Sequence, residues 1–368
     1  MLQFVPVLLG RPFWLVDTPL GILINGSFAV SIFFVLSGFV VSRAAAKSND
    51  PFFINIPLRY LRLALPVTAS VIFAWGLLTL FPNASYRLNL ILPNPWLNNT
   101  YQQHIPSFFQ ALRSGFFDAL LTGGPSVYKW NNPLWTMYFE AMGSMAIYLI
   151  YGVTKGWLRV TIIVLVGVAV TISPYPRFGP YYFCFVLGAL MMERWTAGKL
   201  RSFSPAIALA AGVLLGFPGE NFVERWKIPH PWHWLTLGAP DGLIAPVAAA
   251  LILYAALNLA PLEKILSSRI PQFLGRISFP LYLVHVPLLC TVFALAYVWI
   301  QPVSGFTLAV LFAVYLAVSL LLATAGEIWI DKPALDGIAW ARRELRTCYP
   351  SRNALKLSEP AKQRIVSR

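Results

Sequence analysis

His285 sits inside a run from Ile277 to Ile300 that contains no Asp, Glu, Lys or Arg and is long enough to cross a bilayer as a helix. An ionisable group is costly at that depth, so one found there is read first as part of a cavity where chemistry is done. Helical spacing places Ser278, Tyr282 and His285 at i, i+4 and i+7, so a hydroxyl, a phenol and an imidazole share one face. The plainer alternative is a packed histidine that hydrogen-bonds a neighbouring helix. In NNPLWTMYFEAMGS, Asn131, Asn132 and Pro133 lead into a helix that carries Trp135 and then Glu140. A carboxylate so near mid-span must be paired or protonated, which makes it a counter-ion or an acid/base group. Arg59 and Arg62 stand three apart just before Pro66, on one face at the entrance to an apolar span. Their planar forks suit a phosphate or carboxylate, while ordinary anchoring of a cytoplasmic helix end is the simpler reading. Within FFVLSGF, Ser37 and Gly38 form a small-residue notch open to a ligand or, as the simpler reading, to a packed helix.

The elements that must position these groups follow from composition. Of 368 residues 58% are hydrophobic and 11% charged, with a mean hydropathy of +0.66, which excludes an ordinary water-soluble surface and predicts an all-α, polytopic membrane bundle. The net charge of +14 does not point to nucleic acid, because the basic residues are scattered between apolar spans and gathered in the tail rather than clustered on a soluble face. Three cysteines, Cys184, Cys290 and Cys348, form no CxxC pair or zinc-ligand cluster, so neither a disulfide framework nor a metal site is expected.

Apolar runs of membrane length predict nine helices at about 25–42, 61–81, 134–153, 158–173, 178–192, 205–217, 241–260, 277–300 and 304–330. The fifth and sixth are short enough to be tilted or re-entrant. With a cytoplasmic tail, the connectors around 43–62, 154–159, 193–204 and 261–276 share its side, and together they hold 21 of the 28 basic residues, which sets the orientation. The N-terminal segment 1–24, the 218–240 loop and the long 82–133 connection then fall outside, the last as an ordered cap with a weaker apolar patch near Phe108 to Leu121. From 334 to 350, Ile338, Ala341, Leu345 and Tyr349 make one stripe with Arg342, Arg343 and Arg346 elsewhere, which predicts an interfacial helix resting on anionic lipid. Residues 351–368 read as a basic, disordered cytoplasmic tail. No internal or inverted repeat recommends a transporter.

Taken in order, these stretches resemble the acyltransferase 3 family of multi-pass membrane acyltransferases, which modify cell-surface and secreted glycans. The resemblance rests on FFVLSGF at Phe33 to Phe39, Arg-x-x-Arg at Arg59 and Arg62, LWT…E at Leu134 to Glu140, GxxSxxLYLxHxP at Gly275 to Pro287, and Asp331-Lys332-Pro333, which is similar to the family's closing E-K-P element. It covers nearly the whole apolar region, 25–333. Two departures stand out. The spacing from Arg62 to Pro66 is one residue longer than in many members, and the Arg-x10-His motif of an N-terminal helix, whose histidine is regarded as the family's catalytic base, has no match in Met1 to Asn25. Against the family's ten helices, nine spans and an external N-terminus lead us to expect one more helix upstream.

The resemblance implies transfer of an acyl group, commonly acetyl from a cytoplasmic acyl-CoA, to a hydroxyl of a cell-surface glycan, lipid-linked saccharide or similar acceptor, with no tightly bound cofactor. It implies His285 and Glu140 as catalytic groups, Arg59 and Arg62 at the donor phosphates or the cytoplasmic mouth, and Ser37, Trp135, Ser278 and Tyr282 as substrate-binding groups. An upstream histidine acting as base would make His285 an acceptor-binding group; otherwise His285 is the only imidazole within the spans, and little activity is expected. Partners are then membrane lipids, the acyl-CoA donor and the acceptor, in a bacterial inner membrane. An inactive paralogue serving as a scaffold, and a transporter of a glycan or small acid, are the competing classes.

Overall fold

A computed structural model describes residues 21–22, 25–93, 107–123, 129–172, 179–216 and 242–348. Among these the secondary structure is helical, with no strand. All nine predicted apolar runs coincide with helices: α1 (Gly26–Lys47), α2 (Phe52–Leu80), α5 (Trp135–Val153), α6 (Gly156–Thr171), α7 (Gly179–Thr196), α8 (Pro205–Gly216), α9 (Ile244–Asn258), α11 (Arg269–Trp299) and α12 (Gly305–Gly326). Between them come the shorter α3 (Ala84–Ile91), α4 (Phe108–Arg113) and α10 (Ala260–Leu266), and α13 (Lys332–Cys348) follows α12. By length and composition four helices are fit to cross a membrane, α1, α2, α11 and the Gly305–Thr347 run; α9 and α10, bent by 89°, make a fifth if they form one broken span. The 12-residue α8 reaches only about 18 Å, short of a ~30 Å hydrocarbon layer.

The chain divides into two compact units, Met1–Lys47 with Met142–Gln272, and Ser48–Ala141 with Phe273–Arg368. In the first, α1 crosses α7 at two glycines. A Cβ on Gly38 would lie 2.5 Å from the Phe185 carbonyl oxygen, and one on Gly188 only 2.1 Å from that of Val35, so only glycine permits this approach. Phe34 packs its ring against Tyr181 and Phe185 at 5.8 and 5.2 Å. At the basic end of this unit Glu193 accepts from Tyr151 Oη at 2.6 Å and Arg159 Nη1 at 3.3 Å, and the Arg159 guanidinium also lies 4.3 Å from the centre of the Tyr151 ring.

The second unit is built on α2. The connection expected to stay beyond its outer end instead sends a helix back along it. Phe108 meets Trp75 at 5.2 Å, Gly115 lies against Thr68, and Phe116 meets Tyr60 at 5.7 Å, so α4 and its π-helical continuation Ser114–Asp118 run antiparallel to α2 over most of its length. Gly115 is the physical reason, since a Cβ there would stand 2.7 Å from the Thr68 Cα. Residues 94–106 and 124–128 of that connection lie outside the described residues. α3 is fastened to the π-helical turn Leu289–Phe293 of α11 by Ser85 Oγ, which donates to the Cys290 carbonyl at 2.7 Å.

The predicted interfacial helix also differs. α12, the π-helical turn Glu327–Asp331 and α13 continue as one helix over Gly305–Thr347. At about 1.5 Å per residue these 43 residues span ~65 Å, about twice a ~30 Å hydrocarbon layer, so α13 runs on from α12 without a separate start of its own. Two of its three arginines, Arg342 and Arg346, are taken by Asp50 of the same unit and are not offered to lipid. Tyr349 and the basic tail lie outside the described residues, as does the 1–20 part of the N-terminal segment.

Candidate active site

Six of the eight sequence-selected residues, Arg59, Arg62, Trp135, Glu140, Tyr282 and His285, are set by α2, α5 and α11 within the second unit. The Arg59 guanidinium binds the Glu140 carboxylate, whose residue is 2% exposed, and this buried ion pair joins α2 to α5. One turn along α2, Arg62 makes a two-pronged pair with Asp331, its Nη2 reaching Oδ2 at 3.2 Å. Each arginine of the Arg-x-x-Arg pair thus has its own carboxylate, and the four formal charges cancel. A net-neutral set does not attract an anion from a distance; it recognises one only when the anion displaces a carboxylate or takes the guanidinium N–H groups left over.

A second polar group has a backbone origin. Proline at 287 has no N–H to give to the carbonyl of Leu283 one turn earlier, so that carbonyl is exposed inside the helix bundle. Ser70 Oγ donates to it at 2.9 Å and Asn131 Nδ2 at 2.7 Å, while Asn131 Nδ2 also donates to Ser70 Oγ at 2.9 Å. Asn131 is fully buried, and its Oδ1 has no partner among the described residues. This triangle fixes the turn Asn131–Leu134 and so the start of α5, from which Glu140 projects toward Arg59.

Tyr282 pins the same turn from α11. Its hydroxyl donates to the Pro133 carbonyl and is also bonded to Thr136 Oγ1, so its single proton is already committed. Trp135 is partly buried with its ring edge-on to Phe139 at 5.8 Å. The Tyr282 and His285 rings lie 6.0 Å apart. His285 Nδ1 is 3.0 Å from the Leu281 carbonyl oxygen. A carbonyl can only accept, so a hydrogen bond here takes the Nδ1–H tautomer, which would leave the Nε2 lone pair for a proton.

The remaining choices are placed otherwise. Ser278 is exposed, and its hydroxyl donates to the Gly275 carbonyl at 2.8 Å on its own helix. Ser37 belongs to the first unit, buried beside the Gly38 notch that α7 fills. Sequence reasoning missed Ser70, the bonding of Asn131, and Asp331 as the partner of Arg62. Asp331 had a signal as the first residue of the closing element, and Pro287 was a signal for the carbonyl that Ser70 and Asn131 capture.

A groove of about 190 Å³ lies along the same unit, lined by Pro66, Phe73, Pro280, Val284 and Leu322 and reaching Ser70 and Asp331 at its polar positions. Pro280 and Val284 stand on the face of α11 opposite Tyr282 and His285, so the groove and the imidazole are on different sides of that helix.

Fold and site together define a polytopic, helical membrane protein in which the buried carboxylates of the described residues, Asp50, Glu140, Glu327 and Asp331, are each paired with a cation of the same unit. A family model described as an acyltransferase domain, that of acyltransferase 3, matches residues 4–325, and the chain belongs to this family. No curated protein and no solved structure matches it.

Proposed function

We propose that this membrane acyltransferase moves an acyl group, acetyl in the simplest case, from acyl-CoA to a hydroxyl of a cell-surface glycan or lipid-linked saccharide, in a bacterial inner membrane with its C-terminus cytoplasmic. The observation that carries the reading is His285 within an apolar helix with its Nδ1 3.0 Å from the Leu281 carbonyl oxygen, a contact that would leave Nε2 to take a proton. In the proposed reaction the acceptor hydroxyl gives its proton to Nε2 as its oxygen attacks the thioester carbonyl carbon. The tetrahedral oxyanion collapses with cleavage of the carbon–sulfur bond, and the thiolate takes the proton back from the imidazolium. Arg59 and Arg62 supply positive charge for the donor phosphates and the oxyanion, with Glu140 and Asp331 holding the forks in place until the donor arrives. Asn131, Tyr282 and Thr136 hold the turn that carries Trp135 toward the acceptor.

Membranes containing the chain are supplied with radiolabelled acetyl-CoA and surface polysaccharide, and alkali-labile label on the polysaccharide is counted. The unsubstituted chain is expected to label it, and His285→Ala to lower the rate by at least about 10²-fold with normal insertion. Full transfer by His285→Ala would remove the imidazole from the reaction.

A further inference from the structure

Asp50 lies just before α2, and its side chain is 3% exposed. It accepts from Arg342 Nη1 at 2.9 Å and from Arg346 Nε and Nη2 at 2.6 and 3.0 Å. Asn55 closes the cluster: its Oδ1 accepts from Arg342 Nη1 at 3.1 Å and its Nδ2 donates to the Asp50 carbonyl at 2.9 Å. At the other end of α13, Asp331 holds Arg62. The two helices are therefore antiparallel and clamped twice, by ion pairs separated by about 15 Å along α2 from Phe52 to Arg62 and about 21 Å along α13 from Lys332 to Arg346.

Just before the near clamp, on the α12 side of Asp331, the backbone departs from the regular helix. Asp331 closes the π-helical turn Glu327–Asp331, where the regular i to i−4 ladder is interrupted between α12 and α13 and Lys332 Nζ stands 3.4 Å from Glu327 Oε1 across the turn. α13 leads from this turn to the grip on its far end at Asp50. We infer that Asp50 is a positioning residue for the acyl-donor site: by holding Arg342 and Arg346 it places α13, and with it the Asp331 carboxylate that orients the Arg62 guanidinium. The link to the donor rests on the function proposed above; the mechanical link between the two clamps does not.

Two measurements separate these. Asp50→Asn, Asp331→Asn and the double variant are purified in detergent and their thermal midpoints compared. Residues this far apart add when independent, whereas here the double variant is expected to lose clearly less than the sum of the single losses, because opening the far clamp already frees the near one. Additive losses would overturn the inference. Should Asp50→Asn not accumulate, Arg346→Gln, which removes one of the two arms, takes its place. In the transfer assay Asp50→Asn is expected to raise the KM for acyl-CoA by on the order of tenfold, leave the acceptor KM unchanged, and be rescued by Asp50→Glu. Equal changes in both KM values, or no change in the donor KM, would remove Asp50 from donor positioning. Absence of transfer by the unsubstituted chain would sink the proposed function, and the thermal comparison would still decide the clamp.

Discussion

Charge pairing dominates at the residue scale. Glu140 is buried and Arg59 is its counter-ion, so removing the arginine alone strands a carboxylate in an apolar bundle. Arg59→Gln is expected to destabilise the protein by about 3–5 kcal/mol, and the Arg59→Gln/Glu140→Gln double variant by much less, as read from thermal unfolding in detergent. Equal losses would show that the stranded Glu140 carboxylate carries no penalty of its own. For transfer, replacing both Arg59 and Arg62 with Gln should impair use of acyl-CoA more than binding of the acceptor; impairment of both alike would reduce them to topology anchors. That ionisable groups in apolar runs mattered was legible from sequence, because hydrocarbon does not tolerate them singly. Which carboxylate served which arginine was not, since the partners stand 81 and 269 residues apart.

At the scale of elements, backbone chemistry explains features that side-chain patterns leave silent. Pro287 frees the Leu283 carbonyl, and Ser70 and Asn131 take it. Ser70→Ala should cost about 1 kcal/mol in the native background and little in Pro287→Ala, where an N–H at 287 closes the helix's own ladder. An undiminished cost in Pro287→Ala would show that Ser70 acts elsewhere. In the first unit Gly188→Leu should abolish accumulation of folded protein, measured by size-exclusion chromatography of a fluorescent fusion, because its Cβ would meet backbone that has no room to yield. The FFVLSGF notch was readable as a place of close approach, and the structure decided in favour of a helix as its occupant. The return of α4 along α2 was hidden, because Gly115 and two phenylalanines in a Pro- and Asn-rich connection look like a loop until α2 is beside them.

For the molecule as a whole, the distribution of basic residues predicts that the C-terminus faces the cytoplasm. A fluorescent protein fused there should mature in a bacterial host and a periplasm-dependent phosphatase should not become active; the opposite result would invert every side assignment. The helix of α12 and α13 is about twice as long as a ~30 Å hydrocarbon layer is thick, which a heptad or hydropathy reading does not foresee, because neither pattern carries continuity through a π-helical turn.

Sequence by itself determined that the chain is a helical membrane protein, where its apolar elements lie, and which few polar residues interrupt them. Those follow from local rules: hydrocarbon excludes unsatisfied backbone and single charges, so length and polarity are written along the chain. Only the tertiary structure decided that Arg59 pairs with Glu140 and Arg62 with Asp331, that Asn131 and Ser70 share a carbonyl freed by a proline, and that Asp50 holds the arginines expected to meet lipid. Partner choice depends on which helices pack together and at what register, and no local signal in the chain carries that geometry.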